Sequence, residues 1–489
     1  MMTRILTVPI WLLVIMFLVS CSKDIKIIPA EGIVNHPPSE LFANVTGISP
    51  TTADIAWSAS NDPDNDVVLY RVYLDDTLYA SGIQAKSFKF QNLAPARQYS
   101  ARVVAYDRAQ ASTSCLVEIH TLDKPGSESS FLQILEFGQT EGSSAQEMGN
   151  MIRANDGGFI MTGKSSQLVF GNPGIKLFAM KIDSLGNKLW TRTYRYVSRG
   201  ARMKIVQAPG GYIIVGGSQL LRLDNNGNLL WDKEVPTSNH AYSSATVDRM
   251  GQIYVTGSLF RDSANNRYTA ILLKFDSQGN QIWEKKYSPT IWDMFTDVKL
   301  TADGNHLLLA GVTDGNMEYN ANLKNIQYDF NVYKLTLDGS IVWKHNVREP
   351  GGALEGSLIE TKDGNVVLIG GNSGSLGILS LVLTMIDGNG ATLWNYRNDE
   401  LAIYGQCVAE TTDNNLIITG YTDMNNGTGF YLAKFSKAGT RTWYQHFYES
   451  GATILPMSVI SLGDGGYFVN SRINDVIGIF RTNPEGKFY

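Results

Sequence analysis

Apolar residues in this chain fall in short runs closed by glycine-bearing turns, and from residue 131 onward the runs repeat. A typical run is Tyr212-Ile213-Ile214-Val215-Gly216-Gly217 or Asn415-Leu416-Ile417-Ile418-Thr419-Gly420. Each is preceded by a turn: Asp156-Gly157-Gly158, Pro209-Gly210-Gly211, Met250-Gly251-Gln252, Asp303-Gly304-Asn305, Asp363-Gly364-Asn365, Asp413-Asn414-Asn415 and Asp464-Gly465-Gly466. A further apolar run leads into a second turn, as in Leu272-Leu273-Lys274-Phe275-Asp276. A tryptophan four residues after a glycine then opens the next strand, in the pairs Gly186/Trp190, Gly227/Trp231, Gly279/Trp283, Gly339/Trp343, Gly390/Trp394 and Gly439/Trp443. Four strands per unit, at a period of roughly 40–60 residues, predict β-propeller blades.

The turns count seven blades. The last unit stops at Gly486-Lys487-Phe488-Tyr489, one residue before its expected tryptophan. A strand-like run at 131–137, Phe131-Leu132-Gln133-Ile134-Leu135-Glu136-Phe137, precedes the first unit and can supply the missing outer strand. Closure of that kind removes exposed sheet edges.

Upstream, alternation in Ala53-Asp54-Ile55-Ala56-Trp57 and Tyr70-Arg71-Val72-Tyr73-Leu74 predicts a small β-sandwich over 38–122. Asp123-Lys124-Pro125-Gly126-Ser127-Glu128-Ser129-Ser130 reads as a linker. The expected order is therefore a signal segment at 1–20, a tether at 21–37, the sandwich at 38–122, a linker at 123–130 and the propeller at 131–489. The fold class is all-β.

The sandwich carries Leu93-Ala94-Pro95-Ala96-Arg97-Gln98-Tyr99. This spacing resembles the tyrosine corner of fibronectin type III domains, where the phenol bonds back to the preceding backbone. On that resemblance Trp57 and Tyr70 match the core tryptophan and tyrosine. The Asp-x-x-Gly-x-x-x-Trp pattern at 183–190, 224–231 and 276–283 resembles the tryptophan-docking motif of quinoprotein-like propellers. Those include quinone-dependent dehydrogenases and a non-enzymatic lipoprotein of outer-membrane protein assembly, usually with eight blades. The aspartate gives way to Thr336 and Ser436 in the fourth and sixth copies. The chain has no adjacent cysteine pair of the quinone-binding type, and no cofactor is expected.

After Arg4, the apolar run from Ile5 to Val19, about 15 residues, is short for a membrane span and fits a signal h-region. It ends in Leu18-Val19-Ser20-Cys21, which resembles the bacterial lipobox, so Cys21 is the expected lipidation site. Ser22 at the following position favours the outer membrane, facing either the periplasm or outward. Cys115 and Cys407 fall in different expected domains, and each is read as a buried small hydrophobe. With 41 basic against 46 acidic residues and no Lys/Arg cluster, nucleic acid is not an expected partner.

Repeated residues build the scaffold, so a ligand site belongs to what does not repeat. Both kinds of turn lie on one face of the disc. The loops between second and third strands, at 164–176, 260–268 and 313–327, and the blade-to-blade crossovers lie on the other. There the candidates are Arg199 and Arg202, His240 and Tyr242, Trp292 and Asp293, Tyr319, and Tyr404. Of nine tryptophans, Trp292 alone has no assigned structural task. Asp62, Asp64 and Asp66 alternate as in a calcium loop, but Val67 and Tyr73 stand where that loop needs glycine and glutamate, so a plain turn is favoured. The six histidines show no ligand spacing, and no nucleophile, zinc or phosphate-loop motif is present. The expected function is a lipid-anchored binding protein whose disc recognises protein or carbohydrate. A glycan-active hydrolase or lyase, and a scaffold in outer-membrane protein assembly, are the alternatives.

Overall fold

The computed structural model describes residues 35–487, apart from 49–50, 95–96, 122–130, 136–143, 170–171, 197–202, 235–239, 263–266, 288–292, 317–326, 348–352, 374–378, 399–401, 425–426, 450 and 475. Among the described residues the protein is all-β, with no α-helix.

The N-terminal unit comprises β1 (Ala43–Ile48), β2 (Ala53–Trp57), β3 (Leu69–Leu74), β4 (Thr77–Ile83), β5 (Ser87–Phe90), β6 (Gln98–Tyr106) and β7 (Ser112–His120). They form two antiparallel sheets in the orders β1-β2-β5 and β4-β3-β6-β7. Trp57, fully buried, meets Tyr70 edge-on with centroids 5.4 Å apart in the shared core. The Ala94 backbone N–H donates to the Tyr99 phenol oxygen at 2.6 Å, closing the expected corner.

The rest forms seven four-stranded antiparallel sheets. Six are meanders of consecutive strands; in the first, Ser144–Arg153, Phe159–Val169, Asn172–Ile182 and Lys188–Tyr196 run from inside outward. The seventh takes Ile454–Ser461, Tyr467–Ile473 and Val476–Thr482, and β8 (Phe131–Leu135) adds the fourth place by pairing Ile477 with Leu135 through Arg481 with Phe131. Each sheet is open. Closure occurs between sheets, where each inner strand packs on the next around the ring and the seventh packs on the first. Seven separate apolar cores lie between successive blades, and the one joining the last to the first contains Leu135, Phe159, Phe468 and Ile479. Second strands such as Gly211–Gly216 are buried along their whole length because a blade has neighbours on both faces, which explains their continuous apolar runs. Outer strands such as Gln281–Tyr287 are mostly exposed or half-buried.

The tryptophans bind blade to blade. Each lies against the turn glycine of the following blade; a Cβ on Gly227 would stand 2.5 Å from Trp190, and one on Gly486 2.5 Å from Trp443. The indole nitrogens of Trp231, Trp343 and Trp394 donate to the carbonyls of Ser277, Gly388 and Lys437 in the same turns, at 3.3, 3.1 and 2.8 Å. Within a turn the aspartate caps the backbone. Asp183 Oδ1 accepts from Leu185 N and Asn187 N at 2.9 and 2.8 Å. Thr336 and Ser436 do the same work through their hydroxyls, accepting from Ser340 N at 3.1 Å and Thr440 N at 3.2 Å.

The sandwich shares the short-turn face of the disc. Phe42 shares a crevice with Pro209, Leu230 and Met250, and Val45–Ile48 share another with Ala154, Thr412 and Gly463. His120 Nδ1 lies 2.5 Å from the Asp156 carbonyl. Among the described residues the crossover face carries none of these contacts.

Candidate functional site

The inner strands converge on the axis, and their N-terminal halves shape a cavity of about 260 Å³ on the crossover side. Every blade contributes. Met148 and Asn150 come from the first, Met203 and Lys204 from the second, Tyr242 and Ser243 from the third, and Met294, Phe295 and Thr296 from the fourth. Gly356 and Ser357, Tyr404 and Gln406, and Met457 complete the wall. A local device presents these residues. Inner strands are bulged here, with register shifts at Tyr242/Ser244, Phe295/Asp297, Gly405/Cys407 and Pro456/Ser458. In the first three of these the partner strand carries glycine opposite the bulge, namely Gly257, Gly311 and Gly420. A Cβ on Gly420 would sit 2.2 Å from the Tyr404 carbonyl oxygen, and one on Gly257 2.0 Å from that of Ala241. At Tyr242/Ser244, Phe295/Asp297 and Gly405/Cys407 glycine at the end of the apolar run makes room for the bulge, whereas the Pro456/Ser458 bulge faces Asn470 and Ser471.

Most polar groups in the wall are spent on the ring. Ser243 Oγ donates to the Phe295 carbonyl and Thr296 Oγ1 to the Gly356 carbonyl, each at 2.6 Å and each crossing to the next blade. Asn150 bridges to Ile205 through both amide atoms, donating to the carbonyl at 2.9 Å and accepting from the N–H at 2.7 Å. Beneath them Asp297 is fully buried. It accepts from Ser244 Oγ of the preceding blade at 2.6 Å and from Ser357 Oγ of the following blade at 2.9 Å, with Lys299 Nζ 3.6 Å away. Burial alone raises a carboxyl pKa. Here Lys299 and Lys204, then the two serine hydroxyls, outweigh it and hold Asp297 at about 2. Burial pushes the nearby Cys407 thiol up, despite the two lysines, so it stays protonated.

The structure brings together two of the expected site residues, Tyr242 and Tyr404, on opposite sides of this cavity. Tyr242 is buried, its Oη has no hydrogen-bond partner, and burial raises its pKa well above the usual tyrosine range. Tyr404 is buried and stacked on Tyr421 with centroids 4.9 Å apart, so only part of it reaches the cavity. His240 points elsewhere: its Nε2 lies 3.3 Å from Glu284 Oε2 on the outer strand of its own blade. Asp293, expected on display at the crossover face, is fully buried, with its N–H donating to the Tyr268 carbonyl at 3.2 Å. Arg199, Arg202, Trp292, Tyr319 and Cys21 lie outside the described residues.

The expected loops at 164–176 and 260–268 are largely strand. Phe159–Val169 pairs with Asn172–Ile182 up to Val169 and Asn172, and Ile253–Asp262 pairs with Arg267–Phe275 up to Asp262 and Arg267. They are projecting hairpins, because backbone pairing continues past the blade body. In the sandwich, Asp62 Oδ1 accepts from Asp64 N at 2.9 Å and Asp66 N at 3.3 Å, and Asp64 binds His36 through both oxygens. That is a capped turn, and no group of three or more His, Cys, Asp or Glu side chains fit to hold a metal occurs among the described residues.

Sequence reasoning missed Lys204, Gln406 and Asp297, as well as the methionines of the wall. The signal was available as a register: six inner strands place Asn150, Ser244, Asp297, Ser357, Cys407 and Ser458 seven residues before the residue at the middle of the following turn. Lys204 stands six before Gly210, because the second inner strand pairs without a bulge.

Residues 36–116 match the family described as fibronectin type III domain. No curated protein matches the chain. Among solved structures, it is similar to the Neurospora crassa Pan2 WD40 domain at 11% identity and a TM-score of 0.46, covering 70% of this chain and 91% of that one. It is also similar to the WD40 domain of Toxoplasma gondii coronin, at 9% identity and a TM-score of 0.42, covering 74% and 89%. A third similar structure is polysaccharide lyase Uly1, at 10% identity and a TM-score of 0.40, covering 71% and 91%.

Proposed function

We propose that this protein is a lipid-anchored binding protein of the bacterial outer membrane, and that its propeller recognises a protein or carbohydrate group at the axial cavity. The cavity itself carries the reading: it lies where all seven inner strands meet and opens away from the face shared with the sandwich. A concave, mainly apolar site with a few convergent polar groups is the ordinary form of a recognition site. The sandwich then serves as spacer between Cys21 and the disc.

The test is binding by the purified protein to glycan arrays and to cross-linked envelope partners, repeated with Met203→Ala and Tyr404→Ala after both variants are shown to melt as the parent does. The expected outcome is a loss of about tenfold or more, as for a residue in a buried contact patch. Undiminished binding in both would remove the cavity from the reading. Product release from a polysaccharide would replace binding with catalysis. Anchoring is checked separately: radiolabelled palmitate is incorporated by the parent chain and absent from Cys21→Ser.

A further inference from the structure

We propose that the axial cavity takes a small monocarboxylate with an apolar body, its carboxylate held by Lys204 and Gln406. This rests on the cavity being the recognition site and adds the chemistry of what enters it. Three observations lead there.

The first is which polar groups remain available. Asn150, Ser243, Thr296 and Ser357 are committed to bonds that join blades. The Lys204 ammonium and the Gln406 amide line the same cavity, are half-buried, and make no hydrogen bond or close ion pair with any described residue. They come from the second and sixth blades, on separate parts of the wall. An ammonium and an amide N–H are both donors, and a carboxylate offers about four acceptor sites.

The second is charge. Among the described side chains named here at the axis, two ammonium groups, Lys204 and Lys299, face one carboxylate, Asp297. Lys299 stands 3.6 Å from Asp297, which leaves Lys204 unmatched by a close partner. A single excess positive charge in a half-enclosed space calls for one negative charge, not a phosphate cluster or a polyanion. Charge-assisted bonds in such a setting are roughly twice as strong as neutral ones.

The third is the remainder of the wall. Met148, Met203, Met294, Met457 and Phe295 are apolar and, in the methionines, adaptable in shape. They favour a hydrocarbon or aromatic body over a sugar, whose hydroxyls would each need a partner here. A volume of about 260 Å³ is below the ~300 Å³ at which sites for drug-sized ligands begin, so the occupant is smaller than those.

The experiment is calorimetric titration of the whole protein with 3-phenylpropionate and with the uncharged 3-phenylpropanol. The acid should bind at least about tenfold more tightly, the amount one charge-assisted hydrogen bond contributes. Lys204→Met should abolish that preference, leaving acid and alcohol alike, and Lys204→Arg should keep it. Gln406→Ala, at a half-buried position, should weaken the acid alone. Equal affinity in the parent protein, or a preference that survives Lys204→Met, overturns the carboxylate assignment. Binding of neither compound, with glycan or protein binding still lost in Met203→Ala, overturns this inference and leaves the function proposed above standing. Acid binding unchanged in Lys204→Met, Met203→Ala and Tyr404→Ala overturns both.

Discussion

Two glycines with the same backbone angle perform different tasks. Gly227 and Gly364 both adopt φ of +77°, a region where a side chain costs roughly 1 kcal/mol or more. Gly364 would place its Cβ in open space, whereas Gly227 would drive one into Trp190 at 2.5 Å. Gly364→Ala is therefore expected to cost about 1 kcal/mol, and Gly227→Ala about 1–3 kcal/mol more through overpacking. Urea denaturation of the two variants checks this, and equal losses would contradict the docking role of the indole. The repeat was legible at this scale because every copy must meet one local demand: a left-handed turn residue beneath an aromatic ring. Thr336 and Ser436 show why the aspartate was less uniform. A single hydroxyl acceptor is enough to cap the turn.

Along an inner strand the decisive feature is the bulge, which no periodic pattern of hydrophobic residues announces. It places Asp297 where serines from both neighbouring blades reach it, so one carboxylate ties three blades together. Its folded pKa of about 2 lies below the ordinary value of 3.8. The stabilisation is therefore present above the unfolded pKa and is lost as pH falls through the folded one. At about 1.4 kcal/mol per pKa unit it amounts to roughly 2 kcal/mol at neutral pH. Asp297→Asn should be less stable at pH 7, and its stability should fall less steeply than the parent's between about pH 4 and pH 2. Parallel acid limbs for the two proteins would sink this account. The same strands explain why Asp293 and His240 were misplaced by sequence reasoning. Position on a crossover does not reveal whether a side chain is buried, and Asp293 is.

For the whole molecule, the question is how a ring of seven open sheets closes. β8 joins the C-terminal strand Val476–Thr482 and sets Leu135 into the core between the last blade and the first. Deleting residues 131–135 should expose the edge of Val476–Thr482 and empty part of that core. Such edges template association. The expected result is self-association in light scattering and a broadened melt; a monomer melting as the parent does would show that closure does not depend on β8. The described contacts of the sandwich lie on the short-turn face, and the cavity lies on the opposite one.

What the sequence determined by itself was everything that repeats: strand count, turn chemistry, the blade number and the strand borrowed from the N-terminal end. Those features answer to local rules of φ, capping and alternation, and seven copies make the rules audible. The tyrosine corner was legible for the same reason, since six residues of chain, Ala94 to Tyr99, contain both partners of its bond. Tertiary structure alone decided the site. Lys204 and Gln406 are 202 positions apart, and only closure of the ring brings their blades to one cavity. Only burial and the pairing of their neighbours left those two, together with the Tyr242 hydroxyl, with donors to spare among the described residues of the wall.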